Sequence, residues 1–407
     1  MRLSKIHSFL LSIVLLELFL FGSGRILEFG PITLRMILYI LCMFSSVVFL
    51  LYCSPKLNKQ IVGLLVFFTI VISIGLFVGV FNDAPIMNMA IDIKPLIYFF
   101  MSIFFYLTIK RIDDLKRVVK LLKLSSLVLG VGYLSLLLLI YLNIIDFDKF
   151  YFFVNNLSGD FAFRQNGAFF YKGFLFLCIG LIFYSLNRKL ISRIISLILL
   201  SAIFLTFTRG FILSLALVFM FYMLFIQRNP LAKVSLIALC IILSPYLVRV
   251  GTSFFDKTNE SNADRLIQLA QAAERVNPIS IFVGHGFGIG VPIRPVHFEI
   301  SFLEIFHKQG LLGLMFWLAL LVIIVYNYIR IRSHKFKRIA LGFLLSSLFI
   351  YIQTQTNPFL NNPIGMSFLL ISFISLKVLR EEECHAYRYA WPHIMAKNTS
   401  TPSFSQY

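Results

Sequence analysis

Residues 261–326 read SNADRLIQLAQAAERVNPISIFVGHGFGIGVPIRPVHFEISFLEIFHKQGLLGLMFWLALLVIIVY. The stretch divides near Gly310. From Leu311 to Tyr326 no residue is charged, and with its flanks this run is long enough to cross about 30 Å of hydrocarbon as a helix. The part before Gly310 is the opposite. It is the longest piece of the chain that lipid cannot hold, and it carries His285, His297 and His307, three of the seven histidines.

Working outward, the same apolar signature repeats through most of the 407 residues. The chain is 59% hydrophobic and only 14% charged, with a mean hydropathy of +0.88. A soluble core of that size cannot hide so much apolar surface, so the class is an all-α polytopic membrane protein. Lipid offers the backbone no hydrogen-bond partner, which forces runs of this length into helices rather than strands. Apolar runs fall near 6–22, 34–53, 61–81, 93–109, 121–142, 168–186, 190–207, 210–226, 231–250, 309–329, 337–353 and 362–379. About twelve transmembrane helices are expected. They divide the chain into helices over 1–250, one large external loop over 251–308, further helices over 309–379 and a tail over 380–407. The N-terminal MRLSKIHSFLLSIVLLELFLFGSG looks like a signal peptide, but the many spans after it favour an uncleaved first helix.

The net charge of +19 is a topology signal. Basic residues gather in alternate connections: Arg2 and Lys5, Lys56 and Lys59, the cluster Lys110–Lys123, Arg188–Arg193, Arg228 and Lys233, Arg330–Arg338, then Lys377 and Arg380. The intervening connections carry few, which puts both termini in the cytoplasm. No basic stretch is interleaved with base-stacking aromatics, so nucleic-acid binding is not indicated. Five cysteines lie in or beside spans or in the tail and none in the long loop, so neither a disulfide framework nor a cysteine metal site is expected. The tail, with Glu381–Glu383, Cys384 and His385, reads as solvated and irregular rather than as a metal site.

Candidate chemistry collects on the external side. Arg209, in LTFTRGFILS between two spans with almost no connection, is either an arginine reaching the headgroups or an anion clamp. The long loop opens with an amphipathic helix near 262–276, which Ser261 would cap. Leu266, Leu269, Ala270, Ala273 and Val276 form one stripe; Arg265, Gln268, Gln271 and Arg275 form the polar side. In GHGFGIG the alternate glycines Gly284, Gly286, Gly288 and Gly290 suit either a backbone anion nest or a plain turn. With a helix starting near Val296, His297, Ser301, Glu304 and Lys308 share one face and Glu299 points away with Phe302, Phe306 and Gly310. A carboxylate or imidazole there is suited to take a proton from an attacking hydroxyl. No HExxH and no serine-hydrolase arrangement is present.

The order of these pieces resembles the O-antigen polymerase and O-antigen ligase superfamily of bacterial inner-membrane proteins. The likeness rests on the short TRG turn at 208–210, the arginine-bearing amphipathic helix, Asn277-Pro278, GHGFG and HFEISFLEIFHKQGLLGL, and covers residues 200–330 in detail. Arg275 and Gly286 also meet the Arg-x10-Gly spacing described for polymerases. The resemblance implies a GT-C-like glycosyltransferase architecture in the inner membrane with one large periplasmic loop. It implies a glycan donor on undecaprenyl diphosphate, and neither metal nor other cofactor. By that analogy Arg209, Arg265 and Arg275 grip the leaving diphosphate, with Arg164 and the loop glycines Gly284, Gly286 and Gly288 beside it. His297, Glu299 or Glu304 activates the acceptor.

Ligases carry a His-Asn pair entering the last of these helices, whereas here Phe298 and Glu299 follow His297. That departure favours a polymerase over a ligase. A lipid-linked oligosaccharide flippase fits less well, because the chain shows no internal repeat and carries a long one-sided loop. A scaffold role within a polysaccharide export complex is weaker still, and a chain-length regulator stands as a candidate partner.

Overall fold

The computed structural model describes residues 2–22, 24, 28–29, 32–55, 57–157, 161–163, 168–227, 229–231, 233–234 and 260–398. Arg164, together with most of the expected span 231–250, lies outside them. Helices dominate. The N-terminal half contains α1 (Arg2–Leu20), α2 (Leu34–Cys53), α3 (Lys59–Phe81), α4 (Ile86–Leu96), α5 (Met101–Thr108), α6 (Ile112–Tyr141) and α7 (Phe147–Leu157). Then come α8 (Leu175–Ser185), α9 (Leu190–Leu205), α10 (Arg209–Phe221), α11 (Glu260–Glu274), α12 (Pro278–Val283), α13 (Ser301–Arg330), α14 (His334–Gln353) and α15 (Pro363–Asn398). Two hairpins of very short strands pair Glu28–Phe29 with Ile32–Thr33 and Phe161–Phe163 with Phe169–Tyr171.

Eight helices among the described residues are long and apolar enough to cross a membrane, and Lys172–Ser185 and Leu190–Leu205 are shorter apolar helices. Against the expected count of about twelve, the described residues hold eight full-length candidates, and two more of the predicted runs fold as helices too short for the same criterion. One candidate, Ile86–Thr108, is built from α4, a single 3₁₀ turn at Ile97–Phe100 and α5. Pro95, in the last turn of α4, has no N–H to give the Ile91 carbonyl and so weakens the helix just before this turn.

The last two spans form the centre. In their most apolar stretches 72% of α14 and 89% of α15 is buried, against 17% for α2, which faces outward. Aromatic side chains lock α13 to this centre and to α3: Phe316 packs on Phe68 at 5.2 Å and on Phe99 at 5.3 Å, and the Tyr351 hydroxyl donates to the Trp317 carbonyl. α15 runs on through Asn398, so the beginning of the stretch read as an irregular tail is helical.

Candidate functional site

The polar loop is fastened to the spans by α13, which is not a continuous helix. Gly310 has φ 62° and ψ −156°, a left-handed conformation that breaks the helical ladder. The break leaves the carbonyls of His307 and Lys308 available. They accept from the backbone N–H groups of His285 at 2.8 Å and Gly286 at 3.1 Å. Phe287 N–H donates to Gly75 of α3 at 3.0 Å, and Gly288 N–H donates to the Asp92 carboxylate at 2.8 Å. These N–H groups are already engaged by the protein, so the glycine-rich turn is not an open anion nest. Its glycines serve close approach instead: a Cβ on Gly286, where φ is +89°, would stand 2.1 Å from the backbone nitrogen of Gly79.

α13 begins at Ser301 rather than near Val296, so His297 and Glu299 sit in an irregular run and no helical face gathers them. Tertiary contacts bring part of the set together all the same. Lys308 Nζ lies 2.7 Å from Asp92 Oδ1 and 2.7 Å from Glu304 Oε1, and also donates to the Val296 carbonyl. Glu304 Oε1 lies 3.2 Å from His297 Nδ1, and its other oxygen accepts from the Asn361 amide. Asn361 in turn accepts from Ser301 Oγ at 2.9 Å. A carboxylate only accepts, so the imidazole presents Nδ1–H to Glu304 and leaves Nε2 for another partner. Asp92, Glu304 and Lys308 are buried, while half of the His297 side chain is exposed.

Asp92, His297 and Glu304 bring one ligand atom each to within 4.8 Å of one another, a spacing suited to a cation. The ammonium of Lys308 already stands between both carboxylates. Two carboxylates sharing one ammonium leave one negative charge in excess, directed at the imidazole.

Glu299, expected on the far side, belongs to a second and more exposed group. It accepts from Arg265 Nε at 2.8 Å and Arg294 at 3.0 Å, and Arg294 also lies 3.7 Å from Asp264. Arg265 donates onward to the Thr356 carbonyl at 3.3 Å. The Thr356 hydroxyl is 2.6 Å from where a Cβ on Gly210 would be, so the TRG turn abuts the same loop and Arg209 opens α10 on an exposed turn beside it. The segment Thr354–Asn362 thus ties together Arg265, Gly210, Ser301 and Glu304. Arg275 is directed elsewhere: it donates to the Gly290 carbonyl at 2.7 Å, and its own carbonyl contacts His285 Nε2. Ser261 lies within α11 and does not cap it.

Asp92, Arg294 and Asn361 are absent from the sequence-based candidates. Asp92 had a signal, since AIDIKPL places a lone carboxylate at the edge of an apolar run, and ionised groups there are seldom without a partner. Arg294 and Asn361 had none, because nothing in their spacing distinguishes them from other loop residues.

No protein-family model matches the chain. An O-antigen polymerase from Shigella flexneri is 25% identical over 368 residues, covering 89% of this chain and 93% of that protein. The chain is thus similar to an O-antigen polymerase over most of its length. Similarity along nearly the whole length reaches both the spans and the polar loop, and with the apolar helices it supports a membrane protein of polysaccharide biosynthesis.

Proposed function

We propose that the protein polymerises a surface glycan at the external face of the bacterial inner membrane, both termini being cytoplasmic. It transfers a growing chain from undecaprenyl diphosphate onto a lipid-linked repeat unit, within a GT-C-like membrane frame. The observation that carries this reading is the half-exposed His297 held through Nδ1 by the buried Glu304, beside the Arg265–Glu299–Arg294 group, in a chain similar over 89% of its length to an O-antigen polymerase. In the step itself an acceptor hydroxyl oxygen bonds to the anomeric carbon of the donor's first sugar. The bond from that carbon to the diphosphate oxygen breaks, and the diphosphate leaves with the electron pair. The hydroxyl proton passes to His297 Nε2, and the imidazolium is stabilised by the excess negative charge of the Asp92–Lys308–Glu304 group. Attack opposite the leaving group inverts the anomeric configuration.

Among the three acid/base candidates the geometry favours distinct roles. Glu304 is buried and fully engaged, so it orients the base; Glu299 is engaged with two guanidiniums, so it sets their position. Arg209, Arg265 and Arg294 are the cations suited to the departing diphosphate, because guanidiniums offer paired donors to phosphate oxygens. Arginines in that role neutralise the leaving group without a metal ion. The test is a surface-glycan gel from a deletion strain complemented with wild type or His297→Ala. Collapse of the ladder to core plus one repeat unit is the expected result. Loss of every attached repeat, with polymer still accumulating on the lipid carrier, identifies a ligase instead and overturns the polymerase reading.

A further inference from the structure

The amphipathic helix α11 is mounted with its faces reversed relative to a soluble protein. Its polar side packs inward: Gln268 is fully buried and accepts from Glu299 N–H at 3.2 Å, Gln271 accepts from Ile293 N–H at 3.1 Å, and Arg265 reaches Glu299. Its apolar side, with Leu266, Ile267 and Leu269, is exposed, as is Val276 just past its C-terminal end. The short α12 that follows continues this pattern, with Ile279 75% and Phe282 64% exposed. A helix whose polar face is spent on its own protein and whose apolar face points out is not arranged for water.

Two further observations say what covers it. The hydrogen bond from Phe287 to Gly75 fixes the glycine turn six residues inside the C-terminal end of α3, about 9 Å along its axis. The C-terminal end of that same span exposes Phe77, Val80 and Phe81, and α12, with its own exposed Ile279 and Phe282, packs against α3. Non-helical backbone is tolerated at such depth only where the protein satisfies it, and here Gly284, His285, Gly286, Phe287 and Gly288 each donate their N–H to a protein acceptor. We propose that Pro278–Gly288 is a re-entrant element inserted into the leaflet at the C-terminal end of α3, with Ile279 and Phe282 among the acyl chains and the outward face of α11 on the same leaflet's interface. The glycine turn that holds Asp92 and meets the broken α13 is then seated in lipid, which sets the His297 site at headgroup depth. The inference does not depend on which reaction the site performs.

The test is spin-label accessibility on the full chain in phosphatidylethanolamine–phosphatidylglycerol vesicles. Leu269, Ile279 and Phe282 are each replaced by Cys in a background with Cys53, Cys240 and Cys384 changed to Ser. Phe77→Cys serves as the lipid reference and Asp113→Cys, whose side chain is 85% exposed at the opposite end of the spans, as the aqueous one. High oxygen and low nickel-chelate accessibility at 279 and 282, matching position 77, is the expected result, with 269 between the references. Nickel accessibility matching position 113 overturns the proposal. Shielding from both reagents also overturns it, because the face is then covered by protein, such as a second copy of this chain. Should a cysteine variant fail to accumulate, the unaltered protein with a photoactivatable phospholipid gives the same answer: adducts within 266–282 are expected, and their absence alongside adducts on 77–81 overturns it.

Discussion

Among the described residues, two sets of buried side chains pair opposite charges, and they are built differently. Between α1 and α2, Arg35 holds Glu17 through Nε at 3.0 and 3.1 Å, and also donates to the Gly22 carbonyl. One cation meets one anion, and both side chains are nearly inaccessible. At the other set, Lys308 serves both Asp92 and Glu304, a half-exposed imidazole completes the group, and the members come from α4, α13 and the loop between α12 and α13. A balanced and closed pair can hold helices together and do little else. An unbalanced group that opens to the surface through His297 is a candidate for chemistry. What separates structure from chemistry here is stoichiometry and exposure, not the presence of buried charge.

The largest expected effect is at the open end of the second group. His297→Ala removes the base of the proposed mechanism, so polymer formation should fall by about 10²- to 10⁴-fold. Because His297 is half exposed, the protein should remain inserted and abundant. The measurement is the rate of long-chain formation in vesicles supplied with purified lipid-linked repeat units. A variant that polymerises at the wild-type rate breaks the comparison outright. Glu304→Gln should follow the same direction, since the amide can still accept from His297 but no longer stabilises an imidazolium by charge.

The closed pair should respond in the opposite manner. Arg35→Met alone leaves a buried carboxylate unpaired, a change expected to cost about 3–5 kcal/mol and to lower the amount of folded protein. Replacing both partners, Glu17→Gln with Arg35→Met, should recover much of that amount, and activity per folded molecule should match wild type. Abundance by quantitative blot, set against chain-length distribution, separates these outcomes. A normal yield of the double variant with shortened chains would show that the Glu17–Arg35 pair also bears on the site.

The same double substitution at the second group sharpens the contrast. Asp92→Asn with Lys308→Met removes one charge of each sign and should restore abundance relative to Lys308→Met alone. Activity should stay low, by about tenfold or more, because Glu304 loses the ammonium that places it and Gly288 loses a charged acceptor. Recovery of both yield and activity would reduce Asp92 and Lys308 to a second structural pair.

How far the chain could be read in advance follows the physics of each part. The spans are legible because lipid demands long uncharged helices, and the runs at 34–53, 61–81 and 337–353 match α2, α3 and α14 closely. Pro95 and Gly310 break helices in ways the apolar pattern does not register, since hydropathy counts side chains and not backbone conformation. His297, Glu304 and Lys308 are legible as a set, but for a different reason from the one their spacing suggests: a loop and a broken helix gather them, not one helical face. Asp92 joins them from 216 residues before Lys308, a separation at which no periodicity carries information. The direction of α11 was equally hidden. Its amphipathic pattern is plain, but a pattern does not say which face the protein keeps.

The smallest effects should distinguish the arginines from one another. Arg275 has the polymerase-like spacing to Gly286, yet its guanidinium donates to the Gly290 carbonyl rather than joining Glu299. Losing one such hydrogen bond at an exposed site is worth about 1 kcal/mol, so Arg275→Ala should shorten chains only modestly. Gly210, the neighbour of Arg209, abuts Thr356, and the Thr356 carbonyl accepts from Arg265, so substitution of either arginine should be felt more strongly. Arg209→Lys keeps the charge and discards the planar fork, so partial activity, above Arg209→Ala and below wild type, is the expected result on a chain-length gel. Full activity of the lysine variant would reduce Arg209 to a point charge. An Arg275→Ala defect deeper than that of Arg209→Ala would move the anion-binding role back toward α11 and away from the Thr354–Asn362 loop.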